Sequence, residues 1–408
     1  MPSTPKNDQL IIPTTRNSFP PQIISFLFIN LIIGSAPIKL GKMFECGVIL
    51  APILSILIAV LTTFSIFLLS KALALYHLPT TDELIDHLFG RILSISFGVF
   101  TVVFYLLINV QYYGYISDLL GKIILHYQSN IPAVILDPFF LNSLLFVFYI
   151  IPIIHTISLK VMFVFSVISV IAILVMIIVN IYNLAYQKIN EIDSINQNGK
   201  IIYFTFNHST IFCFSQMISF FQIYPFNYPG IRHLKHNSVR SWTITVCSSI
   251  ICSLFAFLII GELKYFIQYY NITNINKQVI NTINNIAQLV VIASSFPATM
   301  NPARVTIQNN FLRLKTNNIT MCYFFGYCFQ IASLVISSLY NKLDKYINLI
   351  IAILSAILSF IIPAIIYLYT FQFSSPQFAV TSILLILVGL GSIILSILDI
   401  LNVFKYNG

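Results

Sequence analysis

The sequence predicts an all-α integral membrane protein with about eleven transmembrane helices. Of its 408 residues, 58% are hydrophobic and only 8% are charged. A water-soluble domain carries about 25% charged residues, and a soluble fold of this length needs a polar exterior that this composition cannot supply. We therefore expect lipid to be the solvent around most of the chain.

Eleven apolar stretches have the roughly 17 to 25 residues that a helix needs to cross a bilayer. They are 22–40, 48–70, 95–119, 139–155, 161–183, 202–224, 242–261, 284–303, 320–340, 347–370 and 378–400. The stretch 139–155 is short and contains Pro152. Between the second and third stretches, 77–94 has amphipathic spacing, which predicts a helix lying at the membrane interface.

The sequence outside these stretches is short, so we expect one transmembrane domain, 21–401. It is flanked by a disordered cytosolic tail, 1–20, and a short C-terminal tail, 402–408. The net charge of +9 comes from basic residues scattered over many loops, which favours membrane lipid over nucleic acid as a partner. The six cysteines form no CxxC pair, which favours packing over a metal site or a disulfide.

The arginines predict an orientation. If the N-terminus is cytosolic, all six lie on the cytosolic side, as the positive-inside rule requires. The C-terminus then lies on the opposite side. The plasma membrane and an endolysosomal or vacuolar membrane both fit, and the sequence carries no indication of oligomeric state.

Two of the stretches contain helix-breaking residues. The first carries Gly34 and Pro37 near its middle, and the sixth ends at Pro225 and Pro229. Breaks in the first and sixth helices are typical of transporters built from two inverted repeats of five helices. The ends of half-helices offer N–H groups to a carboxylate and C=O groups to an ammonium or a cation. The alternative is that these residues make ordinary kinks.

Three motifs resemble the amino acid/auxin permease family in order and spacing. They lie in the first, sixth and eighth helices, and the resemblance spans roughly residues 20–400. The residues in register with these motifs are Asn30, Gly34, Ala36, Phe44 and Gly47; Phe221, Tyr224, Pro225, Pro229, Leu234 and Lys235; and Ser295, Pro297, Pro302 and Arg304. The departures are Ala36, Pro37, Gly41 and Tyr224, where the family has Gly, an aliphatic residue, Pro and His.

The resemblance implies a LeuT-type fold and transport of amino acids. By the family's pattern, the substrate's carboxylate and amine would contact Gly34, Ser35 and Ala36. The opposite wall would be formed by Phe220, Phe221, Gln222 and Ile223. A sodium ion would lie near Asn30, Ser294 and Ser295, whose oxygens suit a hard cation. An interhelical hydrogen bond is the alternative role for Asn30.

The functional prediction is a symporter that moves amino acids by alternating access, driven by a sodium or proton gradient. We expect no other cofactor. Lys39, Asp118, Arg304 and Asp399 lie near predicted span ends, where their charges can reach the interface, so we expect a substrate with a neutral side chain. A sensor that binds an amino acid without transporting it is the alternative. The sequence lacks HExxH and GxSxG motifs, so we predict that the chain is not an enzyme.

Overall fold

The computed structural model describes most of the chain. The described residues are 21–34, 36–76, 78, 80–128, 132–155, 159–190, 202–205, 208–221, 239–269, 277–308, 319–371 and 376–401. The predicted tails 1–20 and 402–408 lie outside them, as does the predicted break at Pro225 and Pro229.

The described residues form fifteen α-helices and contain no strand. The helices are α1 Pro21–Ile33, α2 Ala36–Met43, α3 Leu50–Tyr76, α4 Thr81–Phe89, α5 Arg91–Tyr127, α6 Pro138–Leu145, α7 Ile151–Ile154, α8 Leu159–Asn190, α9 His208–Phe220, α10 Val239–Tyr269, α11 Lys277–Thr306, α12 Ile319–Ser337, α13 Tyr340–Ala356, α14 Ile362–Phe371 and α15 Pro376–Ile400. A 3₁₀ turn, Phe44–Cys46, follows α2. Single π-helical turns join α6 to α7 and α13 to α14.

Each of the eleven predicted stretches overlaps a helix in its described part, and the all-α membrane fold class is confirmed. Within the described residues, seven helices are long and apolar enough to span a bilayer, and the pair α1 and α2, bent by 52° at its break, makes eight if it is counted as one span. The remaining three predicted spans are shorter apolar helices of 10–17 residues, namely Pro138–Ile154, Thr210–Phe220 and Tyr323–Ser337. The chain is a multi-pass integral membrane protein, and the count of eleven crossings stays a prediction.

Helix α8 has an apolar outer face and carries small polar residues on its inner face, as expected for a helix in lipid. On α8, Ile171 and Ile178 are 55% and 65% exposed, whereas Ser166 and Ser169 are fully buried on the inner face. Apolar side chains gain nothing by leaving lipid, so helices associate through small residues and hydrogen bonds. Helix α11 lies at the centre of the bundle, where it packs against α1, α5, α8 and α12.

Helix α11 continues through Pro297 and Pro302, and at Pro297 the lost backbone hydrogen bond is replaced by a side chain. Proline at position 297 has no N–H to donate to the carbonyl of Ala293, four residues earlier. The hydroxyl of Tyr149, in the π turn after α6, donates to that oxygen at 2.8 Å. A buried carbonyl left without a partner costs about 1–3 kcal/mol, so this bond makes the proline tolerable.

Helix α4, Thr81–Phe89, lies within the amphipathic segment 77–94, where the spacing predicts a helix. The side chain of Thr80 accepts a hydrogen bond from the backbone N–H of Glu83 and so caps the N-terminus. Gly90 ends the helix with φ of 86°, a conformation that favours glycine. Leu84 and Ile85 are buried, and α4 packs against α5.

Candidate functional site

The first helix is broken at Gly34, as the sequence predicts. Its φ is +33°, and its N–H donates to the carbonyl of Asn30 at 2.9 Å, which closes the last turn of α1. The second half-helix, α2, begins at Ala36 with Pro37 in its first turn, where a missing N–H costs little. The break therefore leaves the carbonyl end of α1 and the N–H end of α2 next to one another without full intrahelical pairing.

A cavity of about 40 Å³, here called the central cavity, lies beside this break. Helices α1, α5, α9, α11 and α13 contribute to it. Its lining residues are Leu31, Ile32, Gly34, Phe104, Tyr105, Ile108, Gln111, Tyr112, Gln216, Ser219, Phe220, Thr299 and Ile351. Pockets for drug-sized ligands measure roughly 300–1,000 Å³, so the helices stand close together around the break.

The predicted substrate residues are only partly brought together. Gly34 and Phe220 both line the central cavity. Ala36 is fully buried just beyond the break. Phe221 packs against Phe257, with ring centroids 5.2 Å apart. The other three predicted residues, Ser35, Gln222 and Ile223, lie outside the described residues.

The three predicted ion-site residues lie together next to the break. The side-chain amide of Asn30 donates to the carbonyl of Ser294 at 2.9 Å and to the hydroxyl of Ser166 at 3.3 Å. The hydroxyl of Ser295 donates to Asn30 Oδ1 at 3.0 Å. Asn30 is 1% exposed and joins α1, α8 and α11, so it makes the interhelical hydrogen bonds that were the alternative prediction.

The same cluster concentrates oxygen atoms. Asn30 Oδ1, the hydroxyls of Ser166 and Ser295 and the carbonyl of Ser294 meet within one set of hydrogen bonds. These are neutral hard ligands of the type that small cations prefer. Among the described residues, no group of three or more His, Cys, Asp and Glu side chains could hold a metal ion.

A second polar network, which the sequence analysis did not identify, lies beside the central cavity. Asn109 Nδ2 donates to Thr299 Oγ1 at 3.1 Å, and Gln330 Nε2 donates to Asn109 Oδ1 at 3.2 Å. The hydroxyl of Tyr113 completes the network by donating to Gln330 Oε1 at 3.2 Å. Asn109, Thr299 and Gln330 are fully buried. The sequence feature that could have revealed this network is a polar amide side chain in the middle of an apolar stretch, which occurs at Asn109 and at Gln330.

Lys39 is partly buried and bonds to side chains of neighbouring helices, whereas the sequence analysis expected its charge to reach the interface. Its ammonium donates to Gln216 Oε1 at 2.8 Å and to Asn348 Oδ1 at 2.7 Å. Gln111 Nε2 donates to the same Asn348 oxygen at 2.7 Å, and Asn348 Nδ2 donates to Asp344 at 2.8 Å. The amide oxygens and the nearby carboxylate replace the water that the ammonium would otherwise seek.

Arg304 differs from expectation in the same way, since it is only 2% exposed. Its guanidinium donates to the side-chain oxygen of Asn301. Asp118 is exposed, as expected for a residue near a helix end. The side chain of Asp399 lies outside the described residues.

Comparison with known proteins places the fold among transporters. No family profile and no curated protein sequence matches the chain. A structure of MhsT in complex with L-phenylalanine has a TM-score of 0.63 at 12% identity, over 92% of this chain and 98% of that one. The manganese transporter of Eremococcus coleocola gives 0.59 at 14% identity, over 98% and 90%. A Na⁺-coupled sialic acid symporter gives 0.55 at 13% identity, over 95% and 90%.

These likenesses confirm the predicted LeuT-type fold, which all three transporters share. The fold agrees with the prediction that the chain is not an enzyme. At these identities the likeness establishes the architecture alone. The substrate and the coupling ion have to be argued from the residues at the break.

Proposed function

We propose that the chain is a secondary transporter that moves its substrate by alternating access. The observation that carries this proposal is the break at Gly34, which lies beside a cavity enclosed by five helices. Broken helices at the centre of a bundle expose backbone groups that bind a solute, and non-helical backbone is tolerated at membrane depth only where it lines such a cavity.

The proposed substrate is an amino acid with a neutral side chain. The paired half-helix ends offer donors to a carboxylate and acceptors to an ammonium, which fits a zwitterion. Among the described residues that line the central cavity, none is charged, so nothing there would pair with a charged substrate side chain. The resemblance to the amino acid/auxin permease family supports this choice, and so does MhsT, a fold relative solved with L-phenylalanine.

The proposed coupling ion is sodium, held by Asn30, Ser294 and Ser295, with a proton as the alternative. The cluster is buried, neutral and rich in oxygen. One charge crossing 100 mV releases about 2.3 kcal/mol. At about 1.4 kcal/mol per decade, this sustains roughly a 50-fold substrate gradient.

Access to the central cavity is controlled in this proposal by movement of α2. The ammonium of Lys39 ties α2 to Gln216 of α9 and to Asn348 of α13. Gln216, which accepts from Lys39, and Gln111, which donates to Asn348, also line the central cavity. Separation of the three helices would therefore open the cavity on that side.

Counterflow in proteoliposomes tests whether the protein transports. Vesicles loaded with an unlabelled amino acid are placed in a trace of the same labelled amino acid, and each member of a neutral amino acid panel is tried. A transporter gives transient accumulation of label by exchange, without any imposed ion gradient. A protein that binds an amino acid tightly but shows no counterflow would contradict the proposal and indicate a sensor.

A further inference from the structure

Two glutamine side chains, Gln111 on α5 and Gln216 on α9, line the central cavity. Each is 4% exposed and uses one amide atom to join the group around Lys39. Gln216 Oε1 accepts from the ammonium of Lys39 at 2.8 Å, and Gln111 Nε2 donates to Asn348 Oδ1 at 2.7 Å. Their second amide atoms, Gln111 Oε1 and Gln216 Nε2, take no part in that group.

The ammonium of Lys39 fixes the direction in which each amide is turned. An ammonium carries only N–H donors, so Gln216 and Asn348 must both present an oxygen to it. The orientation of Asn348 is fixed a second time, because its Nδ2 donates to the carboxylate of Asp344. Since the oxygen of Asn348 also faces Gln111, Gln111 must present its N–H donor there. The second amide atoms are therefore a donor on Gln216 and an acceptor on Gln111.

These two atoms are unpaired but accessible. In the part of the chain that the structure describes, neither has a hydrogen-bond partner, and neither belongs to the unpaired side-chain atoms that are sealed from accessible space. Because both side chains line the central cavity, these atoms are the polar groups that they offer to a bound solute. A largely buried amide atom gains free energy from a partner, so a solute that both accepts and donates is favoured.

The other lining residues add little that competes with this pair. Two of the hydroxyls are already engaged, since Ser219 donates to the carbonyl of Ser215 at 3.1 Å and Thr299 donates to that of Phe296 at 3.0 Å. Six lining residues are apolar, namely Leu31, Ile32, Phe104, Ile108, Phe220 and Ile351. A carboxylate could not donate to an amide oxygen, and an ammonium could not accept from an amide N–H. Both kinds of charged side chain therefore fit the pair poorly.

We propose that Gln111 and Gln216 select an amino acid with an uncharged polar side chain, a carboxamide or a hydroxyl, and that Lys39 positions them. This inference rests on the proposed transport function and narrows its substrate class. Gln216 Nε2 would donate to the oxygen of the substrate side chain, and Gln111 Oε1 would accept from its N–H or O–H. An aliphatic side chain of the same shape would leave both atoms unpaired, which a hydrogen-bonding site discriminates against strongly.

Two pairs of amino acids of matched shape test this selectivity: asparagine with leucine, and threonine with valine. All four are used in the counterflow assay and are titrated in thermal unfolding, followed by the fluorescence of Trp242, the only tryptophan of the chain. We expect asparagine and threonine to reach half-maximal effect at concentrations roughly tenfold or more below those of leucine and valine. Equal concentrations within each pair would overturn the proposal. Selective binding without counterflow would support it and contradict transport instead.

Variants assign the selectivity to the two glutamines. Gln111→Met is the sharpest, because it removes the acceptor while both amide bonds of Lys39 remain. It should lower the ratio of the leucine to the asparagine concentration several-fold, and Gln216→Met should do the same. Gln268→Met, at an exposed glutamine of α10 that does not line the central cavity, should keep the wild-type ratio. An unchanged ratio in folded Gln111→Met, even with a lowered unfolding midpoint, would show a structural role only and overturn the proposal.

The positioning role of Lys39 has its own test. Lys39→Met frees both amides to turn and should lower the same concentration ratio, whereas Lys39→Arg keeps N–H donors at this position and should retain the selectivity. A ratio that is unchanged in Lys39→Met would overturn the positioning role.

Discussion

Replacing Gly34 with alanine would place a methyl carbon 2.6 Å from the hydroxyl oxygen of Tyr112. The φ of +33° adds a second penalty, since a left-handed conformation costs a non-glycine residue roughly 1–2 kcal/mol. Forcing a side chain into a packed site costs about 1–3 kcal/mol. Together these two penalties destabilise the conformation of the break described here by about 2–5 kcal/mol. At 1.4 kcal/mol per decade, the lower value reduces its population about 30-fold.

The assay is amino acid uptake by proteoliposomes containing equal amounts of folded protein. We expect Gly34→Ala to reduce uptake at least tenfold. Gly391→Ala is the matched control, because a methyl group there meets nothing within 4 Å, and it should transport normally. The double variant Gly34→Ala with Tyr112→Phe removes the clashing oxygen, after which the nearest ring carbon lies at an ordinary 3.5 Å.

The double variant should transport faster than Gly34→Ala, because the clash is removed. It should remain slower than Tyr112→Phe alone, because the backbone penalty at residue 34 remains. Full uptake by Gly34→Ala would refute the assignment of the break to the transport site. A double variant no better than Gly34→Ala would refute the specific contact between residue 34 and Tyr112.

Three further substitutions have distinct expected outcomes. Asn30→Ala removes the side chain that joins three helices, so it should lower the unfolding midpoint. It should also raise the sodium concentration for half-maximal uptake several-fold. An unchanged sodium dependence would leave Asn30 as a structural residue only. Lys39→Met should open the central cavity, so that Ser219→Cys reacts several-fold faster with a membrane-impermeant thiol reagent than it does with Lys39 present; equal rates would contradict a closing role for Lys39. Tyr149→Phe leaves the carbonyl of Ala293 unpaired and should cost about 1–3 kcal/mol of stability, seen in thermal unfolding, with the sodium dependence of uptake unchanged; a shifted sodium dependence would show that Tyr149 acts on the ion site.

The helices and the first break were predictable because their signals are local. A run of about 20 apolar residues implies a spanning helix whatever surrounds it, and every predicted stretch overlaps a helix in its described part. Gly34 and Pro37 carry their conformational preferences in their own covalent structure. The capped amphipathic helix α4 was predictable for the same reason.

The direction of side chains was less predictable. Lys39 lies near a span end in the sequence, which is compatible with an ammonium turned outward or inward, and only packing places Gln216 and Asn348 beside it. Phe220 and Phe221 are adjacent in sequence and both rings pack against Phe257, with centroid distances of 5.9 and 5.2 Å, yet only Phe220 is among the residues that line the central cavity. Neighbouring residues point about 100° apart on a helix, so small errors of register exchange their roles.

Polar networks between distant segments were not predictable from one sequence. Asn109 bonds to Thr299, 190 residues away, and to Gln330, 221 residues away. The sequence shows each amide as an isolated polar residue in an apolar stretch. Only the packing of α5 against α11 and α12 brings the three together.

Concentrative uptake in proteoliposomes tests the central claim most directly. A labelled neutral amino acid is supplied outside, with an inward sodium gradient, an inward proton gradient or neither, and the internal concentration is measured at steady state. The account predicts accumulation well above the external concentration under one of the two gradients, and its loss when an ionophore collapses that gradient. Internal label that never exceeds the external concentration under either gradient would contradict secondary active transport.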